Sequence, residues 1–570
     1  MKKLLLATAI SAVVFTGQAS AAVPILTAGA TNGNPYVDFS AGTGISNPAN
    51  VFQTAYFAGS SAANSFLESA IKISAAPNTK IFKYYDSSKA ALTFIFSTGS
   101  SPTAGFTANK NYVVHKLDKG GSVTAVLSAS SLAANKALVL FNNTLPTVAG
   151  SFGKDPLKWP CTNPTLSATA PVIADCTSTT AVSTAVKPAA ALVFNLADVD
   201  ASQFASTLNG ATTANKLATL ATPTLIPSSS IATQIFGVAV NLKLRNAMQK
   251  AMIASGALPN TCTVGSETEA CMASFTYSDV SALFSKGRLT SWENLRFGGV
   301  SGENLLGAQG SDVKPGNSDV HICSRTAGSG TLAVAQLVFE NAPCVTSNES
   351  IQSPAVTTSA PETGLSGANK IYHATSSTGE LENCLETMDG YKVSDGTFPG
   401  AMVANGTFPL PTLVGTNNFR WAVGIMNTDK NTSNTLPIRF VKLDGFSPSA
   451  KNVAQGKYKF WSELSLVGVA PTATTNALAY GLLEVMKDPL TIAKANKTST
   501  NFGVTGYLAT APYATFDVAG AGGALINAAF ETVRPVNPFT HADLTNKAGS
   551  VNHCRVANVL SGAKALPGLN

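Results

Sequence analysis

Residues 321–339 read HICSRTAGSGTLAVAQLVF. The short run His321-Ile322-Cys323 passes into Arg325-Thr326-Ala327-Gly328-Ser329-Gly330-Thr331 and then into the apolar stretch Leu332 to Phe339. The pattern predicts a strand, a turn of small residues, and a helix starting at about Ser329. The first N–H groups of such a helix have no intrahelical partner, and its dipole puts partial positive charge there, so the turn can hold an anion. Ser329 and Thr331 add hydroxyl donors, and Arg325 adds a planar fork suited to a tetrahedral oxyanion. On these seven residues alone a second reading stands level with the first: Ser329 caps a helix and Arg325 is a surface side chain.

The same strand–turn–helix unit recurs. Gln53 to Ala58 reads as a strand, Gly59-Ser60-Ser61 as a turn, and Ala63 to Ile73 as a helix with Phe66, Leu67, Ala70 and Ile71 on one face. Tyr112 to His115 is a strand ahead of the glycine turn Gly120-Gly121-Ser122. Ala189 to Leu196 is a buried strand running into Ala197-Asp198-Val199-Asp200. Ile235 to Leu244 reads as another strand, although its continuation through Arg245 and Met248 also fits a helix. Repeated units of this kind predict an α/β fold with open sheets and ligands at the carboxyl ends of strands. The Thr/Ser/Pro-rich stretches 142–187 and 345–368 and the Gly/Pro-rich 395–416 read as insertions or surface loops, as does the Ala/Thr/Gly-rich 465–530.

Of 570 residues only 12% are charged, about half the usual share of roughly 25%, while 45% are hydrophobic. That excludes a disordered chain, and 38 thinly spread Lys and Arg residues make no phosphate-neutralising patch for nucleic acid. Lys2-Lys3, the apolar Leu4 to Phe15 and Ala19-Ser20-Ala21 form the pattern of a cleaved secretory signal peptide over 1–21, with no lipobox cysteine and no later membrane span expected. The mature protein is then periplasmic or secreted. Eight cysteines fit an oxidising compartment with up to four disulfides. Cys161–Cys176 and Cys262–Cys271 close short loops and are the first pairs expected. No C-x-x-C occurs and the five histidines are scattered, so neither a metal nor another cofactor is expected.

The segment Arg325 to Thr331 resembles the Arg-x-[Asp/Glu]-Gly-Ser-Gly-Thr signature of the periplasmic phosphate-binding proteins of ABC transporters. Other stretches follow that family's order. Ala58-Gly59-Ser60-Ser61-Ala62 resembles its first ligand loop, and Ala197-Asp198-Val199-Asp200 lies where the family has a strand ending in an aspartate. Ile235 to Asn241 looks like its crossing strand. Asp279 to Leu295, with Trp292, looks like the stretch upstream of the signature, and Arg420 to Ile425 resembles its late strand. The resemblance, spanning 50–465 with large gaps, implies a two-lobed periplasmic-binding-protein-like α/β fold with open mixed sheets and large loop insertions. The body would cover 22–465 and a C-terminal extension 466–570 would pack on it. It also implies an exported, non-enzymatic solute-binding protein for phosphate or a related oxyanion, with an ABC permease as partner.

Carried over by position, Arg325, Ser329, Gly330 and Thr331 would hold one side of the anion. Ser60, Ser61 and Ala62 would hold the other, with Ser122 from the second glycine turn. Asp198, favoured over Asp200, would accept a hydrogen bond from a protonated oxyanion and so disfavour sulfate; its alternative is a helix cap ahead of Ala201 to Phe204. The chain departs from the signature at Ala327, where the family has an acid that orients the arginine. A helix of about twelve residues after Gly330 would carry Cys344 roughly 18 Å from Cys323, beyond the ~7 Å reach of a disulfide. The expected pairs are therefore Cys344–Cys384 and Cys323–Cys554. Two other classes remain open: a secreted hydrolase, for which no metal or nucleophile–base spacing is visible, and a surface protein that keeps the fold for adhesion or assembly.

Overall fold

A computed structural model describes residues 53–86, 91–118 (except 104), 121–129, 138–141, 161–178, 183–186, 194–199, 204, 228–285, 288–297, 303–305, 315, 318–340, 370–375, 377–390, 419–431, 434–449, 452–453, 457–468 and 471–487, with four short strands after residue 506. The signal-peptide pattern, Asp200, Gly120, Cys344, Cys554 and the stretches 345–368 and 395–416 lie outside the described residues.

Among the described residues the first lobe is built from β1 (Gln53–Gly59), α1 (Asn64–Ser74), β2 (Lys80–Asp86), β3 (Ala91–Ser97), β4 (Asn111–Leu117), α2 (Ser122–Ala129), β5 (Val172–Ser178) and β6 (Phe194–Ala197). The long strand β7 (Ser228–Asn241) follows, then α3 (Leu242–Ala254) and α4 (Tyr277–Phe284). The second lobe continues with β8 (Val320–Arg325), α5 (Gly330–Glu340), β9 (Lys370–Thr375), α6 (Thr378–Met388), β10 (Ala422–Asn427) and β11 (Ile438–Phe440). The chain returns to the first lobe with β12 (Trp461–Val467) and α7 (Ala477–Lys487).

The first lobe's sheet runs β7-β12-β6-β1-β4-β3-β2-β5, and the second lobe's runs β9-β8-β10-β7-β11. Both are mixed: β1 pairs in parallel with β4 and β6, and β8 with β9 and β10, while β12, β10 and β11 run antiparallel to β7. Strand β7 joins the sheets, because its residues up to Ile235 pair with β12 and those from Phe236 pair with β10 and β11. The fold is α/β, two-lobed and open-sheeted, as expected.

Local sequence accounts for these elements. In α1, Phe66, Leu67, Ala70 and Ile71 are all buried, and they meet Leu478, Leu482 and Met486 of α7 in the first lobe's core. Helix α7, within the stretch 466–570, therefore packs into that core, beside Leu464 and Leu466 of β12. Strand β7 ends where Asn241 turns its side chain to accept from Leu244 N at 3.4 Å, which caps α3. The strand expected over 235–244 thus ends at Asn241, and the helix that the continuation through Arg245 and Met248 also fits starts at Leu242. Helix α5 is apolar all round because it is buried all round, Leu332, Val334 and Leu337 included.

Two cysteine expectations are corrected. Cys161–Cys176 and Cys262–Cys271 form, but Cys323 bonds Cys384, which rules out both Cys344–Cys384 and Cys323–Cys554. Helix α6 lies across β8 and β10, bringing Cys384 into the same apolar cluster as Cys323, 6.0 Å away between Cα atoms. Within the stretch 142–187, Val172–Ser178 is a strand that pairs in parallel with β2, pinned by Cys161–Cys176.

Candidate functional site

Four strand ends converge at the junction of the lobes. Strand β1 delivers Ser60, Ser61 and Ala62; β4 delivers Asp118 and, one turn on, Ser122; β6 delivers Asp198; and β8 delivers Arg325 ahead of Ser329, Gly330 and Thr331. All of these residues are buried. Ser60, Ser122 and Asp198 are hydrogen-bonded together and Gly330 packs against them, while Ser61, Ala62, Arg325, Ser329 and Thr331 lie on the same turns.

The approach of β1 to β6 depends on Gly59. It has φ +124°, and a Cβ there would stand 1.9 Å from Leu196 O, so only glycine lets Ser60 N donate to that carbonyl at 2.8 Å. Ser60 Oγ in turn accepts from Ala62 N at 3.0 Å and donates to Asp198 Oδ1. Gln234 Nε2 donates to the same oxygen at 2.8 Å, and Ser122 Oγ donates to Oδ2 at 3.1 Å. Asp198 therefore acts as the hub of the cluster, with hydrogen bonds to three separate elements. Burial raises its pKa, opposed by those three hydrogen bonds and by the charge of Arg325.

Arg325 is buried at the other side. Desolvation lowers its pKa to about 10, opposed by the charges of Asp198, Glu380 and Asp118, so it is protonated at neutral pH. Its Nη1 donates to Thr378 Oγ1, in the first turn of α6, at 3.3 Å. Thr378 thus contacts the guanidinium in a chain that carries Ala327 where the resembled signature has an acid. Ser329 Oγ accepts from Leu332 N at 3.3 Å, a cap on α5. The hydroxyls of Ser61 and Thr331 are buried and have no hydrogen-bond partner among the described residues.

The lobes meet directly at this point. Val123 N, in α2, donates to Gly328 O at 2.9 Å, and Asn427 Nδ2 donates to Ala62 O at 3.4 Å.

Five neighbours were not singled out from the sequence. Lys116 is fully buried, donates to Ser60 O at 2.7 Å and pairs with Asp118. Asn64 Nδ2 donates to Asp118 Oδ2 at 2.6 Å. Burial raises the pKa of Asp118, with Lys116 and Asn64 opposing the rise. Gln234 and Thr378 complete the set. Among the described residues no group of three or more His, Cys, Asp or Glu is arranged to hold a metal, and no helix is long and apolar enough to cross a membrane.

No protein-family model and no curated protein matches the chain. Solved structures do resemble it. A putative phosphate ABC transporter substrate-binding protein with bound phosphate from Clostridium perfringens matches at 9% identity, over 78% of this chain and 98% of its own, with a TM-score of 0.33. An ABC-type phosphate transport receptor from Vibrio cholerae matches at 12% identity, over 55% and 79%, with a TM-score of 0.24. PstS from Borrelia burgdorferi matches at 8% identity, over 59% and 87%, with a TM-score of 0.23. At these values the likeness assigns no role to any residue of this chain.

Proposed function

We propose that this chain is an exported solute-binding protein that captures a small oxyanion, phosphate foremost, between its lobes and releases it unchanged. The observation that carries this reading is the meeting, in one buried cluster, of Ser60, Ser122, Asp198 and the Gly330 end of α5, with the Arg325 guanidinium in the field of Asp198. The Ser61 and Thr331 hydroxyls, on the same turns, are buried without a hydrogen-bond partner among the described residues. Buried polar groups without partners cost about 1–3 kcal/mol each, and an oxyanion accepts from such donors. Asp198 gives the site a preference. A carboxylate facing fully ionised sulfate is a repulsion, whereas hydrogen phosphate can donate its proton to it. Transport through an ABC permease belongs to the same proposal, as does export directed by residues 1–21.

Isothermal titration of the purified protein with phosphate, sulfate and small organic anions tests it, alongside Arg325→Ala. The expected result is tight phosphate binding, weak sulfate binding, and loss of both in the variant. Absence of binding to every anion, or undiminished binding by Arg325→Ala, overturns the proposal.

A further inference from the structure

The end of β10 and the turn after it reach from the second lobe to the first. Asn427, the last residue of β10, pairs with Phe236 of β7 and donates from Nδ2 to Ala62 O, in the β1 turn, at 3.4 Å. Thr428 then donates twice to Ile235 O, from N at 3.0 Å and from Oγ1 at 3.2 Å. Ile235 is the last residue of β7 to pair with β12 before the strand passes to the second lobe's sheet. The turn is therefore fixed at the strand that joins the lobes.

Asp429 and Lys430 carry this turn to one face of α1, where Ser65, Glu68 and Lys72 stand at helical spacing. Asp429 borders a cavity of about 630 Å³ together with Ser65, Glu68 and Lys72. Lys430 borders another of about 190 Å³ together with Asn64, Glu68 and Asp118. Burial works against the Lys430 ammonium, but four carboxylates outweigh it and raise its pKa: Asp429 and Glu382 on its own lobe, Glu68 and Asp118 across the cleft. Opening the lobes leaves the first two in place and removes the last two. Glu68 keeps Lys72 and Lys83, and Asp118 keeps Lys116, on the first lobe, so neither needs Lys430 to fold.

We propose that residues 427–430 form a clasp that holds the lobes shut over the anion, with Lys430 as its positioning residue, drawn across the cleft by Glu68 and Asp118. Lys430 acts through the closed arrangement rather than on the anion. A contact made only when the lobes are closed raises ligand affinity by favouring the closed population. Its loss is felt after capture, as faster reopening and release. The inference rests on the oxyanion-binding reading and adds to it the element that sets how long the anion stays.

Stopped-flow kinetics of the full chain with inorganic phosphate test it, in wild type, Lys430→Met and Lys430→Arg. Methionine keeps an unbranched stem without the charge, and arginine keeps the charge. Lys430→Met is expected to release phosphate about threefold faster, the reach of a partly exposed ion pair, with its association rate unchanged. Lys430→Arg should return the wild-type rate. Equal release by Lys430→Met and wild type, a loss confined to association, or no rescue by arginine overturns the clasp and leaves the oxyanion reading in place. Should Lys430→Met fail to fold, Glu68→Gln removes the charge on the other side and is expected to speed release in the same way. If wild type binds no phosphate, the oxyanion reading falls and small-angle scattering decides the clasp. A larger radius for Lys430→Met than for wild type then supports it, and equal radii overturn it.

Discussion

The backbone of Gly330 and the carboxylate of Asp198 approach so closely that a Cβ on the glycine would stand 2.6 Å from Asp198 Oδ2, and 2.3 Å from Ser122 Oγ. Gly330 opens α5 on the second lobe, while Asp198 and Ser122 sit on the first. The contact therefore joins the lobes at the point where the candidate site lies.

Gly330→Ala is expected to push these groups apart. Neither neighbour can yield freely, because Asp198 is fixed by Ser60, Ser122 and Gln234. Overpacking of this kind costs about 1–3 kcal/mol. Urea unfolding should show that loss, and small-angle scattering should show a larger radius if the lobes part instead. A variant matching wild type in both would contradict so tight a junction.

Arg325→Lys keeps the charge but removes the fork and the hydrogen bond to Thr378 Oγ1. A charge-assisted hydrogen bond is worth about 1.5–3 kcal/mol, so phosphate should bind roughly 10- to 100-fold more weakly than to wild type. Titration calorimetry reads this directly, and equal affinity would mean that the guanidinium shape plays no part.

The strand, turn and helix around Arg325 were legible because three local signals agree there: a β-rich run, small residues at the turn, and an apolar run after it. Ser60, Ser122 and Asp198 each follow an apolar strand, but only the resemblance to the phosphate-binding family singled them out as site residues. Lys116 and Asp118 were not singled out, because a lysine and an aspartate around Leu117 look like ordinary polar residues at the end of a strand. Only the meeting of β4 with the β1 turn buries them. The partner of Cys323 was hidden similarly. Its distance from the far end of α5 can be reckoned from helix rise, but the packing of α6 across β8 is a tertiary fact with no local signature. Past Ile235 the apolar run gave no mark of where strand becomes helix, and the cap at Asn241 sets that boundary three residues before Leu244.

The Cys323–Cys384 bond closes a loop with a sequence separation of 61. On the chain-entropy account a loop of that size stabilises the fold by about 4 kcal/mol. The double variant Cys323→Ser, Cys384→Ser is expected to lose that much in guanidinium unfolding, minus whatever the reduced protein recovers by relaxation. A non-reducing peptide map of the wild type should yield the 323–384 pair. Recovery of Cys323 joined to any other cysteine would refute the placement of α6.

Asp389 makes stability depend on pH. It ends α6 and accepts from Lys243 N, in the first turn of α3, at 2.7 Å. Burial raises its pKa from the ordinary 3.8 to about 7, against the opposing pull of that hydrogen bond and of the Lys243 and Arg439 charges. The folded protein therefore holds this proton after the unfolded chain has released it. The stability it contributes is complete below about pH 4, declines as pH rises, and is gone above about pH 7. Asp389→Asn keeps a carbonyl oxygen for Lys243 N and carries no charge to desolvate. The variant should match wild type near pH 4 and exceed it at pH 8, with the difference opening between those values. Urea melts of both proteins across that range measure it, and a difference that is flat or opens in the other direction would show that Asp389 is ionised in the folded state throughout.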